Sequence, residues 1–239
     1  MTRQEGSAAE AAPSDGKQHR VFARWYPGRA AAMDKAGFAA YRDRLLAGLR
    51  GQVLELGAGS GLNFAHYPPE VERVVAVEPE ARMRESARAA AAEAPVPIEV
   101  VDGVAEDLSA YAGQFDAAVC SLVLCSVPDQ SAALAQLRSV LRKQDGNDVG
   151  EVRLLEHVRA EGKTLSRVQS LLDATIWPRI GGGCHCSRDL TAAIAPAGLA
   201  VKSAERFKFP PTGLTMPTSP HLLVTAVPER RADPARRGQ

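Results

Sequence analysis

The chain has 239 residues, 45% of them hydrophobic, and a formal net charge of +1. That length and apolar content suffice for one sizeable core, while the near-neutral balance lacks the clustered Lys and Arg of a phosphate-backbone footprint and excludes a nucleic-acid partner. No apolar run reaches the ~18 residues of a membrane span and no export segment opens the chain, so no membrane partner is expected, the location is expected to be cytoplasmic, and Cys120, Cys125, Cys184 and Cys186 are expected to be reduced thiols.

Residues 1–18 are polar and rich in Ala, Gly and Ser, without periodic apolar positions. They are expected to be a disordered tail, as are 229–239, with the folded domain over 19–228. Phe22, Trp25 and Tyr26 precede Pro27, and Phe38, Tyr41, Leu45, Leu46 and Leu49 fall at helical spacing, which predicts N-terminal helices. The aromatic trio suits either a lid lining an apolar ligand pocket or plain helix packing.

Val53, Leu54 and Leu56 form a short strand that breaks at Gly57-Ala58-Gly59-Ser60-Gly61. Val74 to Val77 make a second strand, and it ends in Glu78, 17 positions after Gly61. This is half of a nucleotide-binding unit. Glycines let a ligand lie against bare backbone, and Glu78 can accept both hydroxyls of a ribose. The spacing G-x-G-x-G differs from the dinucleotide pattern G-x-G-x-x-G and no G-K-[ST] follows, which favours an adenosine ligand without phosphates. Glu55, just before the loop, would repel phosphate and could hold an ammonium, directly or through water. S-adenosylmethionine has the ribose, the ammonium and no phosphate; the alternative is a tight turn that binds nothing.

Glu80 to Ala94 predicts a surface helix, closed by Pro95 and Pro97. Ile98 to Val101 is a strand that delivers Asp102–Asp107 to the edge where open α/β sheets bind ligands, as a loop to face an adenine. Phe115 to Leu124 is a near-continuous apolar run, expected as a central strand with Cys120 in the core and Cys125 past its end, where it could line the site. Gln130 to Leu141 predicts a helix, 143–150 a polar loop, and Glu151 to Val158 a strand bringing His157 to the ligand edge. Leu165 to Trp177 predicts a helix, and Gly181 to Cys186 a mobile loop before a helix capped by Ser187. Leu199–Phe209 and Pro220–Val227 predict an antiparallel hairpin on the far edge.

The segments LELGAGSG, VAVEP, AEDL and FDAAVCSLVLCSV together resemble class I S-adenosylmethionine-dependent methyltransferases of the methyltransferase-11 type. GLNFAHYPP, SLVLCSV, LLEHV and WPRIGGGCH are similar to the thiol methyltransferase-like group within them. The resemblance implies an α/β, Rossmann-like, seven-stranded, mostly parallel sheet with helices on both faces and S-adenosyl-L-methionine as cofactor. It places Glu55, Gly57 and Gly59 at the methionine half of the cofactor, Glu78 at the ribose, and Val104 and Ala105 at the adenine, with Ala58, Gly61, Asn63, Pro79 and Glu106 as further cofactor-binding residues. Ser121 and Leu122 fall where backbone groups meet the cofactor amino group. Relatives commonly carry Asp where this chain has Val104, which leaves backbone and Glu106 for the adenine. The longer 143–150 loop replaces the usual Pro-Gly-Gly turn, Cys186 replaces a Thr or similar residue, and the membrane-anchoring start of the animal members is not expected here.

Methyl transfer to a small-molecule acceptor needs a nucleophile held in line, so orientation does much of the work. A thiol of pKa ~8.5 is already a few per cent thiolate near pH 7, whereas a phenol of pKa ~10 is ionised about one part in a thousand. Thiol S-methylation is therefore the leading expectation, with C- or O-methylation of a quinone-like or phenolic metabolite as the alternative. His157 and His185 could each take a proton or serve packing. Phe22, Trp25, Tyr26, Cys125, Trp177 and Cys184 are the expected pocket walls. Cys184, His185 and Cys186 match metal spacing poorly, so no metal is expected. A nicotinamide oxidoreductase and a non-catalytic cofactor binder are the other classes considered.

Overall fold

A computed structural model describes residues 20–144 and 147–229. The expected N-terminal tail, most of the C-terminal one and the side chain of Phe22 lie outside the described residues. The N-terminal region is helical, α1 over Arg20–Met33 and α2 over Ala39–Leu46, joined by a π-helical turn at Asp34–Phe38 where Gly37 takes φ 108°. α1 runs through Pro27, placing Trp25 and Tyr26 inside a helix.

The strands are β1 Gly51–Leu56, β2 Val71–Val77, β3 Ile98–Val101, β4 Ala117–Ser121, the short β5 Lys143–Gln144 and β6 Asn147–Asp148, then β7 Glu151–His157, β8 Leu199–Lys208 and β9 Pro220–Pro228. Seven of them form one sheet in the order β3-β2-β1-β4-β7-β9-β8. β1, β2, β3, β4 and β7 are parallel, and β9 and β8 add antiparallel at the edge. β5 and β6 pair as a small ribbon within the loop expected at 143–150. The remaining helices are α3 Ala81–Ala92, α4 Gln130–Ser139, α5 Lys163–Asp173, α6 Trp177–Ile180 and α7 Leu190–Ile194. The architecture is the Rossmann-like α/β sheet anticipated from the sequence. Its strand order reverses between β1 and β4, and a crevice opens there beyond the strand ends.

Alternation along the strands divides the core. Leu54, Leu56, Cys120 and Leu154 face one buried cluster with α4 and α7, while Val53, Val74, Val119 and Leu155 face another with Phe38, Leu45 and Leu46 of the N-terminal helices. Glu55 shares the Val53 face, so its carboxyl is driven beneath α2.

Three elements differ from expectation. The strand predicted to Leu124 stops at Ser121, because Leu122 takes φ 59° and the next two N–H groups, of Val123 and Leu124, turn back to donate to buried Glu156 Oε1 at 2.8 and 3.0 Å. The helix predicted to Trp177 breaks into α5 and α6. α7 is capped by Asp189, whose carboxylate accepts from Ala192 N, while Ser187 is bound to Asp173 instead.

The turn after β1 depends on Gly57, at φ 69°, where an added Cβ would stand 2.3 Å from Val123 Cγ2. Gly57→Ala should therefore destabilise the fold by about 1–3 kcal/mol in chemical denaturation. Adding Val123→Ala should recover part of that loss, and no recovery would show that the contact with Val123 is unimportant.

Candidate active site

The crevice holds a cavity of about 520 Å³. Its walls include Glu55, Gly57, Ala58, Gly59, Asn63, Glu78, Pro79, Val104, Ala105, Glu106, Ser121 and Leu122, twelve of the residues singled out in the sequence. Gly61 lies behind it, packed on Phe64 and Ala90. Gly59 has φ 57° and open space where a side chain would stand, so the backbone itself is presented to a ligand.

Glu78 is almost fully buried at the end of β2. Oε2 accepts from Gly59 N at 2.8 Å and Oε1 from Glu80 N at 2.9 Å, so the carboxylate latches the glycine loop and keeps a further lone pair on each oxygen. Burial raises its pKa, against these two bonds and Arg84. Arg84 Nη1 donates to the carbonyls of Glu78 and Pro79 and to Asp102 Oδ1, tying the ends of β2 and β3 together. An Arg in an Ala-rich surface helix carries no sequence signal of that role.

At the other end a polar chain runs under the cavity. Arg42, 5% exposed, donates through Nε to Asp34 at 3.0 Å and through Nη1 to Asn63 Oδ1 at 2.8 Å and Ser121 Oγ at 3.4 Å. Asn63 Nδ2 and the Tyr67 hydroxyl then donate to the two oxygens of Glu55 at 2.8 and 2.7 Å. Glu55 is thus less open to a ligand than its place in the sequence suggests, and Arg42, absent from that reading, adds a cation to the cavity wall. Arg42 sits among apolar helix positions, and only the packing of α2 on β7 and on the turn at Phe64–His66 reveals it. Burial lifts the Glu55 carboxyl to about 7, opposed by Tyr67, Asn63 and Arg42.

A second cavity of about 150 Å³ adjoins the first and shares Tyr26, Leu122 and Ser126 with it. Trp25, Cys125, Trp177, Cys184, His157 and His221 are among its walls. His157 and His221 face each other across β7 and β9 with ring centroids 4.5 Å apart. His221 Nδ1 donates to the Ser219 carbonyl at 2.8 Å, which leaves Nε2 as the bare nitrogen. Burial pushes His221 down to about 4 and His157 well below the ordinary imidazole range. His185 is not among the walls of either cavity; its Nδ1 is 2.8 Å from the Gly183 carbonyl, and its backbone N–H donates to Cys125 O.

All four cysteines are buried and free. The approach of the two thiols raises Cys125 and lowers Cys184. Cys120 lies in the core. Among the described residues there is no cluster of three or more metal-ligating side chains.

A methyltransferase-domain family profile matches residues 54–145. Thiol S-methyltransferase TMT1B of Homo sapiens is 34% identical over 188 residues, covering 76% of this chain and 73% of that protein. Thiol S-methyltransferase TMT1A of Homo sapiens is 32% identical, covering 66% of this chain and 64% of that one. Among solved structures, an S-adenosylmethionine-dependent methyltransferase from Thermotoga maritima superposes with TM-score 0.63 at 20% identity, covering 88% of this chain and 99% of the other. One from Mesorhizobium loti gives TM-score 0.58 at 19% identity, with 82% and 99% covered. The class is therefore an S-adenosylmethionine-dependent methyltransferase. Within it, the chain belongs to the family that contains the thiol S-methyltransferases TMT1A and TMT1B.

Arg42→Ala leaves half-buried Asp34 without its cation and should cost about 1.5–3 kcal/mol in stability, together with at least a tenfold loss of S-adenosylhomocysteine affinity; Asp34→Asn with Arg42→Met should restore stability but not affinity. Full affinity in the double variant would remove Arg42 from the cofactor site. A cation bound beside Glu55 favours its carboxylate and so lowers a pKa that stands at about 7. Binding should release protons, and affinity should rise with pH through about 7 and then level off. Calorimetry in buffers of different ionisation enthalpy checks this, and a pH dependence unchanged in Glu55→Gln would assign the proton elsewhere.

Proposed function

We propose that the enzyme methylates a small-molecule thiol, with the larger cavity holding the cofactor and the smaller one the acceptor. The observation that carries this is the shared wall of Tyr26, Leu122 and Ser126 between a larger cavity bordered by the buried carboxylates Glu55 and Glu78 and a smaller one lined by aromatic, sulfur and imidazole groups. Glu78 and the Gly59 backbone are assigned to the ribose, Val104 to Glu106 to the adenine, and Arg42, Asn63 and Glu55 to the amino-acid end. The cofactor, when bound, supplies an electrophilic methyl on a sulfonium. The chain's own part is to hold the acceptor sulfur on the far side of the shared wall and to exclude water there.

The histidine pair decides how the acceptor loses its proton. His157 lies well below the ordinary imidazole range, so taking a proton from a thiol of pKa ~8.5 would be uphill by more than about 2.7 kcal/mol, and from a phenol by more still. A pocket without a strong base serves an acceptor that is already partly ionised, which favours the thiol. The identity of the TMT1A and TMT1B relatives supports the same acceptor class. Arg29, another wall of the smaller cavity, places positive charge where a thiolate would sit.

With a good thiol acceptor, kcat/KM should rise with pH toward the acceptor's own pKa and show no imidazole step near 6.5, and His157→Ala should cost about tenfold or less. A loss of roughly 10²–10⁴-fold would make His157 an obligatory base. Turnover of phenols or quinone-like compounds without any thiol would overturn the acceptor assignment.

A further inference from the structure

Six buried side-chain polar atoms among the described residues have no hydrogen-bond partner, and three of them belong to walls of the smaller cavity: Trp177 Nε1, His157 Nδ1 and His221 Nε2. Buried polar groups in folded proteins are almost always paired. Three unpaired ones around one cavity mark it as a site for a ligand that carries a polar group of its own.

His221 is the most constrained of the three. It is 1% exposed, and its Nδ1 lies 2.8 Å from the Ser219 carbonyl, which can only accept, so Nδ1 carries the proton and Nε2 presents a lone pair. Phe207 stacks on the ring with centroids 5.2 Å apart, and Phe38 leans on it at the same distance. The backbone beneath is fixed by pairing with His157 on β7 and with Phe207 on β8. A ring clamped in this way does not turn to find another donor. Burial holds the imidazole at about 4, so near neutral pH the nitrogen stays bare instead of taking a proton.

The chemistry of a bare nitrogen selects what meets it. A carboxylate or a thiolate would set lone pair against lone pair, and an alkyl group would leave the nitrogen buried and unpaired. The reacting sulfur has its own place at the partition of Tyr26, Leu122 and Ser126, and neither histidine is a wall of the larger cavity. The group at His221 is therefore a different part of the acceptor. We propose that His221 is a specificity-determining residue, its Nε2 accepting a hydrogen bond from a hydroxyl that the acceptor carries away from its reacting sulfur. The acceptor class is then a hydroxylated thiol, in preference to a plain alkyl thiol or a mercapto acid. A hydroxyl oxygen also accepts, which suits the unpaired donor of Trp177 on the same cavity. This assignment rests on the reading of the smaller cavity as the acceptor site.

Three thiols of matched chain length test it: 3-mercaptopropan-1-ol, butane-1-thiol and 3-mercaptopropanoate. The kcat/KM of the alcohol should exceed that of the other two by roughly tenfold to a hundredfold. His221→Phe keeps a flat ring without the lone pair and should erase that preference, whereas His221→Gln, whose amide oxygen can take the place of Nε2, should keep part of it. Unchanged S-adenosylhomocysteine affinity checks that each variant is folded. Equal or better turnover of butane-1-thiol or the acid by the wild type overturns the proposal, and so does a His221→Phe variant that slows all three acceptors alike, as a purely structural role would. A second readout needs neither methyl transfer nor a variant. In the S-adenosylhomocysteine complex, the nitrogen NMR resonance of the bare His221 Nε2 should move toward its hydrogen-bonded position on addition of 3-mercaptopropan-1-ol or butan-1-ol, and stay in place with butane-1-thiol. A shift with butan-1-ol and no turnover of any thiol would overturn the thiol as acceptor and keep the hydroxyl site. No shift with either alcohol, or an Nε2 already bonded to a water that no alcohol displaces, would overturn the site itself.

Discussion

A buried guanidinium holds the ligand end of this protein together. Arg42 comes from a helix before the sheet, yet it reaches Asp34 in the π-helical turn, Asn63 after the glycine loop and Ser121 at the end of β4. Each contact crosses a different chain connection, so the ion pair fixes the N-terminal helices against both strands that flank the crevice. A charge taken out of water is tolerable only when every such partner is present. The same requirement explains why Glu55 sits on the α2 side of β1: a carboxyl there is satisfied by Asn63 and Tyr67 and faces the positive charge two bonds away.

A second buried carboxyl shapes the division between the two cavities. Glu156, fully buried and lifted to about 7 by its surroundings, gathers the N–H groups of Val123 and Leu124. This stabilises a loop that begins with a leucine at positive φ, a conformation costing on the order of 1–3 kcal/mol. The strain has a consequence for the site. Leu122 and Ser126 are turned out from the sheet to form the partition, and Cys125 falls on the smaller side of it.

The smaller cavity joins elements from far apart in the chain: α1, the loop after β4, the end of β7, α6 and the start of β9. Burial holds its two histidines below the ordinary imidazole range, so it contains no strong base. Trp25, Trp177 and Met216 line it beside the two histidines, so most of its wall is apolar.

The lining of the larger cavity around the glycine loop was legible in the sequence because it is local. Strand, glycine loop, strand and acid occupy 27 consecutive positions, 52–78, and glycine spacing and strand periodicity act within that window, so Gly59 and Glu78 could be placed before any contact was known. The parallel order and the C-terminal hairpin followed from alternating strand and helix patterns. What the sequence could not show was long-range. Arg42 and Arg84 look like surface arginines until packing buries one and clamps the other. His221 looks like a strand residue until β9 inserts beside β7, and His185 looks like a site residue until its loop turns it toward Gly183. The end of β4 escaped for the same reason: an apolar run predicts a strand throughout, and only the tertiary hydrogen bonds to Glu156 decide where it stops.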